Sequence, residues 1–227
     1  MADKKSEDLL IPRDEYLSAG CHIGLVQKTK DMKKFIYMIR PTGLAVLDIA
    51  IIDKRIRNAA KMLSNVKNVL IVSRKEGGHK AAKAFAKATG IKHITGRFMP
   101  GSLTNPSYKE FFEPDVLLTI DPTSDQQAIK EAVQMRIPII ALADTINSLS
   151  FIDLAIPCNN KSKDSIGTVL WVLANEINKI KKSKTETKKE DFVPNEEERK
   201  RDKERMEANM DDDGMPVKFH RKTTKRY

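Results

Sequence analysis

The run from Asp115 to Ile120 constrains the fold of this chain more than its other stretches do. It is essentially apolar after its first residue and ends at Asp121-Pro122. A strand with successive apolar residues is buried on both faces, which is typical of a parallel sheet covered by helices. Val69–Val72 and Ile139–Ala143 have the same character, and a further short run covers residues 154–156. Helical patterns of about a dozen residues separate these runs, so the sequence predicts βαβ units.

The stretch before Asp115 predicts a loop of defined shape. Gly96 and Gly101 can adopt a positive φ, whereas Pro100 and Pro106 fix φ and lack an N–H group. No regular helix or strand persists through such a sequence. Functional residues are concentrated on loops that a rigid scaffold positions, so this loop is a candidate site.

A β-hairpin and an amphipathic helix are predicted nearer the N-terminus. Phe35–Arg40 and Leu44–Ile49 are rich in β-forming residues, and Pro41-Thr42-Gly43 between them is typical of a turn. Asp48 is placed to cap a helix that continues to about Ser64, with its apolar residues recurring on one face.

Three further helices follow the strands. Gly77-Gly78 comes before a helix from His79 to about Thr89, and we interpret the two glycines as a tight turn, although a phosphate-binding turn is an alternative. A second helix is predicted from Ser124 to about Met135 with Thr123 or Ser124 as its cap. The third covers residues 164–180, where Trp171 is expected to be a half-buried packing residue.

The charge of the chain indicates a polyanionic partner. It contains 41 Lys and Arg residues against 31 Asp and Glu residues, a net charge of +10. This charge favours a nucleic acid over an acidic small molecule as the partner. Two basic clusters are candidates for RNA contact, although both could be merely solvated. They are Lys28, Lys30, Lys33 and Lys34 beside the hairpin, and Lys80, Lys83 and Lys87 on one face of a helix.

An enzyme with its site at the carboxyl ends of the strands is the alternative. The candidate groups there are Asp121, Asp144, His93 and Asn105, and they form no catalytic set or metal-ligand spacing. Cys21-His22 supplies two ligands, too few for a tetrahedral zinc. We therefore expect no cofactor or metal. Few cysteines and the lack of a long apolar run favour a cytoplasmic protein without a membrane partner.

Four blocks of the sequence carry a resemblance to a known family. They are GRFMPGSLTN at 96–105, LTIDP at 118–122, IPIIALADT at 137–145 and IDLAIPCNNK at 152–161. In this order they resemble the small-subunit ribosomal protein two family, whose animal members are also called the laminin receptor precursor. A fifth block near residues 19–24 extends the likeness over roughly residues 9–180.

The resemblance implies a structural component of the small ribosomal subunit that binds ribosomal RNA and neighbouring ribosomal proteins. It implies no enzyme activity and no small-molecule substrate, and a nucleotide- or phosphate-binding α/β enzyme is the alternative. The short connection after residue 64 indicates the archaeal or eukaryotic type, because the bacterial branch carries a long helical insertion there. The basic residues that lie in or beside matched blocks, and that we expect to contact RNA, are Lys28, Lys33, Lys34, Arg40 and Arg97.

The predicted fold is α/β, with a doubly wound, mainly parallel, flavodoxin-like sheet and an N-terminal hairpin. Residues 1–8 are expected to be disordered, 9–180 to form the domain, and 181–227 to form a charged tail that is disordered or helical. The tail includes a possible helix at 195–209 and a basic arm at 217–227. The arm adds RNA-contact candidates, which are Lys218, Arg221, Lys222, Lys225 and Arg226.

Overall fold

A computed structural model of the chain describes residues 9–182 and 187–195. The helices are α1 (Arg13–Ser18), α2 (Ile49–Ser64), α3 (Glu76–Thr89), α4 (Gln126–Gln134), α5 (Lys163–Lys181) and α6 (Lys189–Phe192). The strands are β1 (Ile36–Ile39), β2 (Ala45–Leu47), β3 (Val69–Ser73), β4 (Lys92–Thr95), β5 (Val116–Thr119), β6 (Ile139–Ala143) and β7 (Leu154–Pro157).

Five strands form one parallel sheet in the order β4-β3-β5-β6-β7. Numbered among themselves along the chain, these strands stand in the order 2-1-3-4-5, which is the flavodoxin-like doubly wound arrangement. β1 and β2 form the antiparallel hairpin. The predicted fold class is confirmed, and the five-stranded sheet is parallel throughout.

Alternate residues of the strands face two cores. On β5, Leu118 belongs to a large core shared with α2, α3 and α5. Leu117 points the other way and belongs to a smaller core with α4 and with Leu103 of the loop before β5. Both faces of the sheet are therefore covered, which explains why its central strands are apolar at successive positions.

The start of α2 follows the sequence prediction. Asp48 has extended backbone geometry, and its Oδ1 accepts a hydrogen bond of 2.9 Å from the Ala50 N–H. This bond satisfies one of the N–H groups that a helix leaves free at its first turn. The bounds of β6, Ile139–Ala143, also agree with the prediction.

The prediction for the start of α3 is wrong, because Gly77 and Gly78 lie inside the helix and form no separate turn. A Cβ on Gly78 would lie 2.6 Å from Ser73 Oγ and 2.9 Å from Ile120 Cδ1. The glycine is therefore needed for the close approach of the first turn of α3 to the sheet. The need for glycine at this position comes from a tertiary contact, which the local sequence does not show.

The predicted cap of α4 is also wrong. The helix begins at Gln126, and Thr123 and Ser124 belong to the turn before it. Asp121 organises this turn: its Oδ1 accepts from Thr123 N at 3.1 Å and its Oδ2 accepts from Ser124 Oγ at 2.9 Å. These bonds give Asp121 the role of a turn residue.

The packed chain continues beyond residue 180, the predicted end of the domain. Phe192 at the end of α6 is 2% exposed, and its carbonyl oxygen lies where a Cβ on Gly167 of α5 would be only 2.6 Å away. Trp171 is half-buried, as predicted, and its Nε1 donates to the carbonyl oxygen of Thr187 at 3.0 Å. Residues 1–8, the arm at 217–227 and the predicted helix after Asn195 lie outside the described residues.

Candidate nucleic-acid interface

The loop at residues 25–34, named here the lysine loop, is fastened to the carboxyl end of the parallel sheet. Leu25 N donates to Thr145 Oγ1 at 2.9 Å, and Thr29 N donates to the Thr145 carbonyl oxygen at 2.9 Å. Further along, Asp31 Oδ2 accepts from Leu149 N at 3.3 Å. These bonds join residues more than a hundred positions apart, so the lysine loop is held at several points against the loop that follows β6.

Gly24 permits this attachment. A Cβ at this position would lie 2.4 Å from Thr145 Cγ2 and 3.2 Å from the Ala45 carbonyl oxygen. Gly24 N also donates to the Ala45 carbonyl oxygen at 2.9 Å, which ties the loop to β2. The glycine is therefore required where the lysine loop passes between the hairpin and the sheet.

The lysine loop presents three of its four lysines to solvent. Lys30, Lys33 and Lys34 are exposed, and Lys28 is half-buried. Lys33 begins a short 3-10 turn that ends at the buried Phe35. The centroid of the Phe35 ring lies 5.1 Å from Lys34 Nζ, within the range of a cation–π contact. Arg40, just after β1, is also exposed.

The other predicted residues that the structure describes lie on α3 and just after β4, and are named here the β4-edge group. Lys83 and Lys87 on α3 are exposed, Lys80 is half-buried, and the exposed Arg97 follows β4. Since β4 and β6 are three strand spacings apart, the end of β4 that Arg97 follows is about 14 Å across the sheet from the end of β6, where the lysine loop is attached. The structure thus separates the predicted residues into two clusters.

The loop before β5 is shaped by Glu131, a buried residue that the sequence reasoning did not single out. Its Oε1 accepts from Gly101 N at 2.9 Å and from Gln127 Nε2 at 2.8 Å, and its Oε2 accepts from Leu103 N at 3.1 Å. Gly96 and Gly101 have φ of 95° and 92°, in agreement with the prediction that they take positive values. The position of Arg97 is therefore set by a loop with a fixed backbone.

The crevice at the carboxyl ends of β3 and β5 is occupied by the side chains of the protein itself. Lys75 Nζ donates to the Asn160 carbonyl oxygen at 2.9 Å and lies 3.9 Å from Asp121 Oδ2. Asn147 Nδ2 donates to Asp121 Oδ1 at 3.1 Å, and Asn160 Nδ2 donates to Asn147 Oδ1 at 3.0 Å. In this fold the crevice is where a nucleotide would bind. Here Lys75, Asp121, Asn147 and Asn160 are bonded to one another.

Asp125 closes the same crevice from the other side. Its Oδ1 accepts from Arg74 N at 2.7 Å and its Oδ2 accepts from Thr119 Oγ1 at 2.6 Å. Burial raises the pKa of Asp125 above its ordinary value, and these hydrogen bonds oppose the rise. This carboxyl group has a structural role, because it joins the ends of β3 and β5.

Of the other candidates for an enzyme site, Asp144 lies beside Asp121, since its N–H donates to Asn147 Oδ1 at 2.7 Å, whereas His93 and Asn105 lie elsewhere. Asp144 is buried, and burial raises its pKa, while its Oδ1 accepts from Thr145 N at 2.6 Å. Its Oδ2 has no partner among the described residues. His93 is exposed on the edge strand β4, and Asn105 is exposed on the loop, where its Oδ1 accepts from Ser107 N at 3.0 Å.

Cys21 and His22 are both buried. Burial raises the pKa of the Cys21 thiol to about 11, so the group is a poor nucleophile near neutral pH. Within residues 9–182 and 187–195, no group of three or more His, Cys, Asp and Glu side chains is arranged to hold a metal ion. In the same residues, no helix is both long enough and apolar enough to cross a membrane.

Five candidates for RNA contact lie outside the part of the chain that the structure describes. They are Lys218, Arg221, Lys222, Lys225 and Arg226.

Comparisons with known proteins point to one family. The family profile described as ribosomal protein S2 matches residues 16–110 and 108–180. The chain is 49% identical over 178 residues to the small ribosomal subunit protein uS2 of Haloquadratum walsbyi. That alignment covers 78% of this chain, and the chain spans 63% of the length of that relative.

Proposed function

Because the chain belongs to the ribosomal protein S2 family, we propose that it is a structural, non-enzymatic component of the small ribosomal subunit in the cytoplasm. In this role it binds small-subunit ribosomal RNA and neighbouring ribosomal proteins. The archaeal type that the sequence indicates is consistent with the similarity to the Haloquadratum protein.

The attachment of the lysine loop is the observation that carries the RNA-binding part of the proposal. Its exposed lysines lie on a backbone that Thr145 and Leu149 hold through hydrogen bonds. A fixed loop loses little conformational entropy when its cations meet phosphates. The single acid of the loop, Asp31, accepts one of these bonds. The β4-edge group, with Arg97, Lys80, Lys83 and Lys87, supplies a second contact to the same polyanion.

The state of the crevice argues against the enzyme alternative. A nucleotide at the switch point of the sheet needs free backbone N–H groups and free polar side chains. Asp125 accepts from Arg74 N, and Lys75, Asn147 and Asn160 are bonded within the chain. A phosphate bound through these groups would have to replace these bonds.

The test is the salt dependence of binding to purified small-subunit ribosomal RNA. Replacing Lys30, Lys33 or Lys34 by Gln removes one charge at an exposed site. We expect each variant to bind more weakly and to reduce the log–log salt slope by roughly 0.7 to 0.9 per lost phosphate contact.

Lys67→Gln is the matched control. Lys67 is exposed just before β3, at the opposite end of the sheet from the lysine loop. The same loss of one charge there should leave the slope unchanged. The proposal fails for the lysine loop if all three loop variants keep the slope of the native protein, or if Lys67→Gln lowers it equally.

A further inference from the structure

Tyr37 presents a nearly free aromatic ring at the middle of β1. Its exposed fraction is 71%, and Met38 and Ile39 after it are 48% and 54% exposed. An exposed aromatic side chain adds little to the stability of the fold, because its apolar surface remains in water. Among the described residues, no cation lies over this ring and no hydrogen bond to its hydroxyl is found. The ring is therefore available to a partner.

The backbone of the hairpin projects this ring. Ile36 pairs with Leu47 and Met38 pairs with Val46, so two residues of β1 advance where β2 advances by one. Tyr37 is the extra residue of this β-bulge. A bulge bends its strand and redirects the side chain of the extra residue, and bulges are common beside functional sites.

The segment of chain that carries Tyr37 has a positive charge. Residues 32–47 contain Lys33, Lys34 and Arg40 and no Asp or Glu. The flanking acids are both engaged with backbone: Asp31 Oδ2 accepts from Leu149 N, and Asp48 caps α2. An apolar ring within a cationic surface suits a partner that is both aromatic and anionic, and an unpaired nucleotide has both properties.

We propose that Tyr37 stacks on an unpaired base of small-subunit ribosomal RNA while Lys33, Lys34 and Arg40 meet the adjacent phosphates. This inference rests on the proposed function and makes it more specific: the hairpin binds a loop or bulge of the RNA and not a continuous duplex. The exposed Met38 and Ile39 then pack against the sugar and base surface beside the stacked base.

The experiment compares Tyr37→Phe and Tyr37→Leu in the full chain, with purified small-subunit ribosomal RNA as the probe. Leu keeps an apolar side chain but removes the aromatic face, and Phe keeps that face. We expect Phe to bind within about twofold of the native protein, and Leu to bind about 5- to 150-fold more weakly, the range for losing one stacked base. The salt slope should not change in either variant, since neither removes a charge.

Separate controls distinguish the possible failures. The urea midpoint of Tyr37→Leu should match that of the native protein, because the side chain is exposed. If Tyr37→Leu binds RNA as the native protein does while Lys33→Gln lowers the salt slope, stacking is refuted and the proposed function stands. Equal losses in the Phe and Leu variants also refute stacking. If Tyr37→Leu keeps its RNA affinity but no longer joins small subunits, the hairpin docks a protein and the inference is overturned.

Discussion

Replacing Gly78 by Ala tests how closely α3 approaches the sheet. The new Cβ would lie 2.6 Å from Ser73 Oγ, 2.9 Å from Ile120 Cδ1 and 3.1 Å from Ile120 Cγ2. Ser73 Oγ also donates to the Lys75 carbonyl oxygen at 3.0 Å, so its displacement breaks a partly buried bond. Gly77, one residue earlier in the same helical turn, is the matched control. Its added Cβ would meet only Lys163 Cγ, at an ordinary 3.5 Å.

The two substitutions differ only in their packing. Ala is favoured over Gly in a helix by about 1 kcal/mol, and both variants gain this propensity term. Overpacking costs about 1–3 kcal/mol, and only Gly78→Ala incurs it. We therefore expect Gly77→Ala to be more stable than the native protein, and Gly78→Ala to be about 1–3 kcal/mol less stable than Gly77→Ala.

Equilibrium urea unfolding measures this difference. In a domain of this size, 1 kcal/mol corresponds to about 2–4 °C in Tm, so thermal melts should separate the variants by at least about 2 °C. The m-value should stay constant, because both variants unfold the same surface. If Gly78→Ala is as stable as Gly77→Ala, the close approach of α3 to Ser73 and Ile120 is not as described.

Two further substitutions probe packing and charge. Gly167→Ala would place a Cβ 2.6 Å from the Phe192 carbonyl oxygen and so displace α6 from α5. We therefore expect faster limited proteolysis near residue 192. Resistance equal to that of the native protein would contradict the packing of α6 on α5. Asp144→Asn removes a buried carboxyl group whose pKa burial raises above its ordinary value. Ionisation of this group costs folding stability as the pH rises through the ordinary range of an Asp, and the Asn variant avoids this cost. The advantage of the variant in urea midpoint should therefore grow between pH 4 and pH 7, and a shrinking advantage would show that the carboxylate is satisfied in the fold.

The central strands and α2 could be predicted because their signals are local. Burial on both faces requires an apolar run, and β3, β5 and β6 each have one. The helix α2 has an Asp cap and an apolar stripe with helical spacing. By contrast, Lys92–Thr95 forms an edge strand whose first two residues are exposed, so it has no apolar run to mark it as β4.

The features that the sequence did not reveal depend on contacts between distant residues. The sequence alone predicts a turn at Gly78. Its close contact with Ile120 exists only in the folded chain. Phe192 lies in a highly charged stretch, and its burial requires the groove that Gly167 leaves on α5. Glu131 belongs to α4, and only the fold brings the loop near Gly101 to its carboxylate.

The same limit applies to the candidate interface. The lysines could be listed from composition and spacing, and the hairpin could be predicted from its turn. The proposed role of Tyr37 could not be predicted, because it depends on a β-bulge. A bulge can be recognised only from the pairing of β1 with β2, which the structure supplies. The sequence also gave no sign that Thr145 would anchor the lysine loop from 120 residues away.

The central claim is that the lysine loop binds RNA within the small ribosomal subunit. The most direct measurement is co-sedimentation of the full chain with small subunits, followed by amine-reactive labelling of lysines in the bound and free protein. We predict that the chain sediments with the subunits and that Lys30, Lys33 and Lys34 become protected, while Lys67 reacts as it does in the free protein. Absence of co-sedimentation, or equal labelling of all four lysines in both states, would contradict the claim.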